Sequence, residues 1–511
     1  MDAELYDVAV VGFGPTGVVA ATLLGQAGLR VHVCDRLQGV YEFPRAVALD
    51  HEVMRVFQQL GVVHAIAPYL EPFTPSEYYG ADGQLIRRLT MLEPPYPQGY
   101  TPSLVFTQPL VERALRERVA QLPNVRVAEA TELRALEVAE QSVTLELQPV
   151  AGAAERVRAR WVIACDGAGS TVRGLLNVAL EDLDFDEPWL VVDVRVNQRG
   201  LGKLPKTSVQ YCEPERPCTF VIGPGNHRRW EISLKPGEDP REAATPAGTW
   251  QLLSRWLTPK DGELWRHASY RFHALVAERF RYGRVFLAGD AAHMQPPFLG
   301  QGMCQGVRDA ANLSWKLSAV ARGEVSGVAA EVLLDSYSIE RKAHVRELTS
   351  RIKAIGAVIC ERDMCKARAR DARLLAECGG VVKDTPRQEL LPRLESGWLA
   401  ASLSSARGTL CPQPRLAASG AGEAVLMDER FGHGWRLMLD SVLPAPVAER
   451  GLTVVAVGAS VSLETEGVVA TWMHRHECHA ALIRPDHYVY GTAATSRDLQ
   501  GLLAEWRAVL A

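Results

Sequence analysis

Three glycine-containing segments, widely separated along the chain, restrict its possible folds more than any other feature. They are Gly12-Phe13-Gly14-Pro15-Thr16-Gly17, Cys165-Asp166-Gly167-Ala168-Gly169-Ser170 and Gly289-Asp290-Ala291-Ala292-His293. The first follows Tyr6 to Val11, a valine-rich apolar run suited to a buried parallel strand. Gly12 suits a tight turn, Gly14 a close approach of phosphate to backbone, and Gly17 the packing of the next helix on the strand. Val18 to Gln26 supplies that helix, whose N-terminal amides would face a pyrophosphate. A second strand, Arg30 to Cys34, ends at Asp35, where a carboxylate can accept hydrogen bonds from ribose hydroxyls.

A carboxylate at Asp35 repels a 2′-phosphate, so NADP is disfavoured there while FAD and NAD both remain open. The third segment points to a flavin. Asp290 closes the apolar strand Arg284 to Ala288 and can bond a ribityl chain, which among these nucleotides only a flavin carries. Pro296-Pro297-Phe298-Leu299-Gly300-Gln301-Gly302 then leads into a helical stretch, Met303 to Val320. Amides at that helix start would stabilise negative charge on a reduced isoalloxazine ring.

The runs GFGPTG, CDGAGSTVR and GDAAHMQPPFLGQGM resemble those of the group A flavoprotein aromatic hydroxylases, single-component FAD-dependent monooxygenases. PRAVALDHEVMRVFQQLGV (44–62), GQGMCQGVRDAANLSWKL (300–317) and GTLCPQPR (408–415) are similar to the 3-(3-hydroxyphenyl)propionate hydroxylase branch. Gln295 and Leu299 stand where that branch is expected to carry smaller residues, a departure that falls on the ring pocket. The resemblance implies FAD, NADH or NADPH as co-substrate, O2 and a small aromatic substrate. The expected reaction is hydroxylation of a phenolic acid such as 3-(3-hydroxyphenyl)propionate ortho to its hydroxyl, through a flavin 4a-hydroperoxide. The same chemistry on a hydroxyquinolone, another heteroaromatic or a polyketide phenol is the alternative. A flavin-binding scaffold without turnover is opposed by the intact motifs.

The expected cofactor residues are Gly12, Gly14, Thr16, Gly17, Asp35 and Arg36 in the first unit, with Arg45 and Gln108 added by the resemblance. Asp166 and Gly167 follow from the second segment, and Gly289 and Asp290 from the third. Pro297, Gly300, Gln301, Gly302 and Met303 border the ring by resemblance. Arg173 is a candidate phosphate partner, and His293 is read as structural. Two residues are candidates for handling the phenol proton. His51 follows Asp50, an expected helix N-cap, and Tyr211 lies on an alternating strand of the expected pocket sheet. Arg228 or Arg229, but not both, could face that pocket and hold a substrate carboxylate. No metal is expected, since His474, His476, Cys478 and His479 lack a second paired cluster.

The fold class expected is α/β, a Rossmann-type FAD-binding domain with an inserted antiparallel substrate-binding sheet and a C-terminal thioredoxin-like domain. The division is 1–180 for the first part of the FAD domain, 181–275 for the sheet, and 276–384 for the return and long helices. Residues 385–422 read as a linker and 423–511 as the terminal unit. The 511 residues suffice for several cores, and a net charge of −4 argues against a nucleic-acid partner. Ten cysteines without a CxxC suit a reducing compartment and argue against a disulfide reductase. With no apolar run long enough to span a bilayer and no leader, a cytoplasmic location is expected, and a homodimer remains open.

Overall fold

Valine-rich strands form the centre of the first layer in the computed structural model, which describes residues 4–417, 423–447, 449–457 and 463–510. Strand Leu5–Val11 pairs in parallel with Val31–Cys34 on one side and Glu155–Ala164 on the other. Val125–Ala128 and Val285–Leu287 extend the sheet on either side, also in parallel, and Arg281–Tyr282 adds an antiparallel edge beyond the latter. Such strands are covered on both faces, which is why they read as continuous apolar runs rather than alternating ones. Helix Pro15–Gln26 covers one face and packs on helix Gly302–Ala321, so the first and third glycine segments meet.

Close approach explains two of the glycines. Gly12 adopts φ +101°, and a Cβ there would lie 2.3 Å from the Cys165 carbonyl oxygen. A Cβ on Gly17 would lie 1.9 Å from the Gly12 carbonyl oxygen. Both glycines therefore serve packing behind the turn, where no side chain fits.

The second layer is a mixed sheet of nine strands among the described residues. Its centre is antiparallel, with Leu180–Val196 between Gly262–Ala277 and His227–Ser233, followed by Cys218–Ile222 and Ser208–Tyr211. The sheet is not confined to 181–275. Ser76–Tyr79 joins Ser208–Tyr211 in parallel, Leu85–Thr90 follows, and Asp384–Pro386 adds a further parallel edge. Strands contributed from before and after the insertion anchor this sheet to the rest of the molecule.

The long helices expected from the sequence are Gly327–Cys360 and Met364–Glu377. The stretch read as a linker is packed: Leu394, Trp398, Ala400, Ala406, Cys411 and Gln413 are buried, while 418–422 lie outside the described residues. The C-terminal unit has a four-stranded sheet in the order Leu452–Ala456, Trp435–Leu439, Ala480–Ile483, Val489–Ala493. Helices Val468–Arg475 and Ser496–Leu510 accompany it. All ten cysteines are free, and no helix among the described residues is long and apolar enough to cross a membrane.

Buried ion pairs dock the C-terminal unit. Arg484 donates to Glu340 at 2.7 and 3.0 Å, to Asp486 and to the Trp398 carbonyl. Lys316 donates to Glu340 at 2.8 Å, and Asn312 bridges Glu340 and Asp486. The guanidinium and ammonium groups hold the Glu340 carboxyl well below its ordinary range despite full burial, while burial pulls Lys316 down to about 8. Removing one member of such a network leaves an uncompensated charge. Arg484→Met is therefore expected to destabilise the docked C-terminal unit by about 3–5 kcal/mol, read as an earlier urea transition by Trp fluorescence. A midpoint unchanged from the parent would contradict this role.

Candidate active site

A cleft of about 490 Å³ runs from the first glycine turn to the mixed sheet. At one end lie Gly14, Pro15, Thr16 and Asp35, joined by Arg45, Gln108 and Gly167. Asp290, Pro297, Gly300, Gly302 and Met303 continue the wall toward the sheet. The three glycine segments thus line one continuous space.

Local geometry prepares this end for a dinucleotide. Asp35 accepts from the Phe13 amide at 2.5 Å and the Leu37 amide at 2.7 Å, which fixes its carboxylate beside the turn. Gln108, first residue of helix Gln108–Ala120, accepts from the amides of Arg45 and Ala46 at 2.8 and 2.6 Å. It thereby positions the Arg45 backbone, while the Arg45 guanidinium sits over the Tyr41 ring. A Cβ built on Gly14 meets nothing within 4 Å, so the residue opens a cradle into the cleft beside the start of helix Pro15–Gln26. Asp290 projects into the cleft with no hydrogen-bond donor among the described residues, and the surrounding protein raises its carboxyl above the ordinary range. An open phosphate cradle, a ribose acceptor and a free carboxylate further along fit FAD in its extended form.

Some expected cofactor residues lie behind the wall rather than in it. Gly12, Gly17 and Gly289 build the turns, and Gly289 donates its amide to Asp309 at 2.9 Å. Arg36 is exposed and does not line the cleft, although Leu37, Gly39 and Tyr41 on the same loop do. Asp166 is spent locally, accepting from Ser170 Oγ at 2.6 Å and from the Val172 amide at 3.1 Å at the start of helix Thr171–Leu175. Arg173 donates to the carbonyls of Ala168 and Ala291, tying the second segment to the third. Gln301 turns its side chain to Arg308 at 2.9 Å.

Both proton-handling candidates are displaced from the cleft. Asp50 caps helix His51–Leu60 by accepting from the Val53 amide, as its position predicts. His51 is buried under that cap, does not line the cleft, and has an unpartnered Nδ1. Burial lowers its pKa to about 4, so it is neutral at physiological pH. Tyr211 points to the opposite face of the sheet, where Trp256 Nε1 donates to its hydroxyl at 3.2 Å and Arg255 covers its ring. Its neighbour Gln210 takes the cleft-facing position.

The sheet wall carries polar residues in two transverse rows. In one, Gln210, Thr219, Glu231 and Val191 are cross-strand neighbours. In the other, Val221, Arg229, Asp193 and Arg266 are. Arg229 is the member of the arginine pair that faces the cleft, but its guanidinium is occupied. It donates to both oxygens of Asp193, at 2.7 and 3.1 Å, and to the carbonyls of Pro44 and Arg45. Arg228 binds the carbonyls of Gly223, Gly225 and His227. Arg387, from the supposed linker, enters the cleft over the Phe73 ring and donates to Ser76 Oγ and the Leu299 carbonyl. Among the described residues no carboxylate pairs with it. Asp428, His433 and His487 bring ligand atoms within 4.8 Å of one another elsewhere, but Arg55 and Arg436 already hold Asp428 and oppose a cation.

Residues 5–352 match the family described as FAD binding domain, and residues 408–508 match the HcaD C-terminal domain. The chain is 36% identical to a probable NADH-specific resorcinol 4-hydroxylase of Rhodococcus jostii (strain RHA1), over 99% of this chain and 95% of that protein. It is 30% identical to a 3-(3-hydroxy-phenyl)propionate/3-hydroxycinnamic acid hydroxylase of Klebsiella pneumoniae (strain 342), over 95% and 91% of the two. The fold is similar to that of the flavin-dependent monooxygenase PieE, solved with FAD and substrate, at a TM-score of 0.80, 20% identity and 99% coverage of both chains.

The Gly14 cradle can be tested apart from folding, since a Cβ there meets nothing within 4 Å. Gly14→Val is expected to fold with an unchanged far-UV circular dichroism spectrum but to purify without flavin absorbance. Stoichiometric FAD in the purified variant would contradict the placement.

Proposed function

The chain belongs to the FAD binding domain family, as a group A flavoprotein aromatic hydroxylase using NADH or NADPH, and from that premise we propose that its substrate is a meta-substituted phenol hydroxylated ortho to its hydroxyl. Resorcinol and 3-(3-hydroxyphenyl)propionate, named for the two relatives, share that substitution. When bound, FAD takes reducing equivalents from the nicotinamide and activates O2 for transfer of one oxygen atom. The chain supplies the rest: Gly14, Asp35 and Asp290 hold the cofactor, the mixed sheet positions the ring, and Val191, Val221, Phe73 and Phe298 keep water from it.

The observation carrying the substrate class is the occupied guanidinium of Arg229. With its donors committed to Asp193 and two backbone carbonyls, it has little capacity to clamp a substrate carboxylate, which favours an uncharged ring of the resorcinol type. Arg387 favours a second reading, a phenolic acid such as 3-(3-hydroxyphenyl)propionate or 3-hydroxycinnamate, because its charge faces the cleft without an acidic partner. We read residues 423–511 as a thioredoxin-like unit without a redox pair, Cys478 being the one cysteine in that range. The free thiols support a cytoplasmic setting.

Stimulation of NADH and NADPH oxidation by each phenol, with product identification by mass, tests the proposal. Resorcinol is expected to stimulate oxidation and give a trihydroxybenzene. Arg387→Met is expected to leave the resorcinol KM near the parent value. If the phenolic acid is the substrate, that variant instead raises the acid's KM roughly tenfold or more, the worth of a lost charge-assisted hydrogen bond. Turnover of neither compound to a hydroxylated product would overturn the substrate class.

A further inference from the structure

We propose that Glu231 is the base that accepts the substrate's phenolic proton during hydroxylation. The inference rests on the reading of this cleft as the site of phenol hydroxylation. Glu231 is only 6% exposed and lines the cleft from the middle of strand His227–Ser233. Strand alternation puts Trp230 and Ile232 into the core cluster on the other side, leaving Arg229 and Glu231 toward the cleft.

The neighbours that could satisfy this carboxylate are committed elsewhere. Thr219, its cross-strand partner, turns its hydroxyl to Gln210 Oε1 at 2.6 Å. Arg229 binds Asp193 and the loop carbonyls, and Arg266 donates to the Pro44 carbonyl and to the Tyr270 hydroxyl. No donor among the described residues reaches Glu231. A nearly buried carboxylate without a donor is costly, and a hydroxyl arriving with the ligand relieves that cost.

The charged groups facing Glu231 are Arg229 on its own strand, Asp193 on Leu180–Val196 and Arg266 on Gly262–Ala277; Tyr270 is the further titratable group on the latter strand. Strands Cys218–Ile222 and Ser208–Tyr211 present neutral Thr219 and Gln210. Burial pushes the carboxyl up to about 7, with the two arginines lowering it in part and Asp193 adding to the rise. A carboxyl tuned there can both take and return a proton at neutral pH.

The step balances without another reactant. The phenolic O–H bond breaks, its proton bonds to a Glu231 oxygen, and the electron pair stays on the ring oxygen and enriches the ortho carbon. That carbon bonds to the electrophilic hydroxyl equivalent supplied by the NAD(P)H- and O2-dependent reaction. The carbon then loses its hydrogen as a proton to solvent, and Glu231 returns its proton to the ring oxygen as aromaticity is restored. The product carries a new hydroxyl ortho to the original one.

The test compares wild type, Glu231→Gln, Glu231→Asp and His51→Ala as FAD-loaded proteins, using whichever phenol the wild type hydroxylates. Glu231→Gln is expected to lower product formation about a hundredfold or more while substrate still stimulates flavin reduction and peroxide is released. Product per NAD(P)H in the wild type should rise with pH through about 7, since only the deprotonated carboxylate accepts. Glu231→Gln should lose that limb and recover as pH approaches the phenol's own ionisation, near 10. Glu231→Asp should recover part of the activity, and His51→Ala should remain coupled.

Binding gives a readout independent of turnover, because the phenol should bind roughly tenfold or more tightly than its O-methyl ether in wild type, and by a clearly smaller factor in Glu231→Gln, whose amide oxygen accepts only a neutral hydrogen bond. Equal coupling and equal phenol preference in wild type and Glu231→Gln would overturn the role of Glu231. Uncoupling in His51→Ala alone would likewise overturn it and return the role to His51. A wild type that hydroxylates no phenol would overturn the functional reading beneath the proposal, and the proposal with it.

Discussion

Two adjacent side chains on helix Gly302–Ala321, Arg308 and Asp309, hold together the parts from which the cleft is made. Arg308 reaches Asp50 and Glu52 at 2.6 Å each and Gln301 at 2.9 Å. Asp309 accepts from the Gly289 amide, from His293 Nε2 at 2.7 Å and from Arg341 Nε at 2.7 Å. One residue thus ties the glycine-rich loop at the expected ring site to the helix beginning at His51. The other ties the third glycine segment to helix Gly327–Cys360. Both are fully paired in a buried setting, and His293 and Arg341 draw the Asp309 carboxyl down to about 2. Buried charges satisfied on every side disfavour alternative arrangements, since any shift leaves one of them unpaired.

The same network reaches the C-terminal unit. Tyr488 donates its hydroxyl to Glu52 at 2.8 Å, and Glu52 accepts from Arg308. A residue just before the last strand, Val489–Ala493, is therefore two hydrogen bonds from the helix that starts at the glycine-rich loop. Arg55, on the helix that carries His51, pairs with Asp428 at 2.6 Å, with both side chains fully buried. The terminal unit is thus part of the scaffold that fixes the cleft rather than an appended domain.

The glycine segments were legible because their constraint is local: a turn or close approach demands glycine whatever lies beyond it. Asp50 as a cap was legible for the same reason. Alternation in the second sheet identified which residues share a face but not which face meets the cleft. Alternation alone therefore allows Tyr211 in the cleft, whereas the apolar cluster beneath the sheet captures its ring and Gln210 and Glu231 occupy the cleft side. Asp166 reads as a ligand residue from the sequence because the nearby helix start at Thr171, which consumes it, is short and weakly signalled. Arg387 had no local signal at all. It reaches the cleft through a strand edge at Asp384–Pro386, a tertiary pairing invisible to periodicity.

Buried ionic pairing, close backbone packing and the Arg173 hydrogen bonds hold the three glycine segments around one cleft, and that cleft is assigned the insertion of oxygen into an aromatic ring. Turnover under 18O2 in ordinary water, paired with turnover under ordinary O2 in H2 18O, measures this most directly by product mass. The account predicts one labelled oxygen in the product from the gas and none from water. Label arriving from water, or NAD(P)H oxidation yielding only peroxide with every phenol supplied, would contradict it.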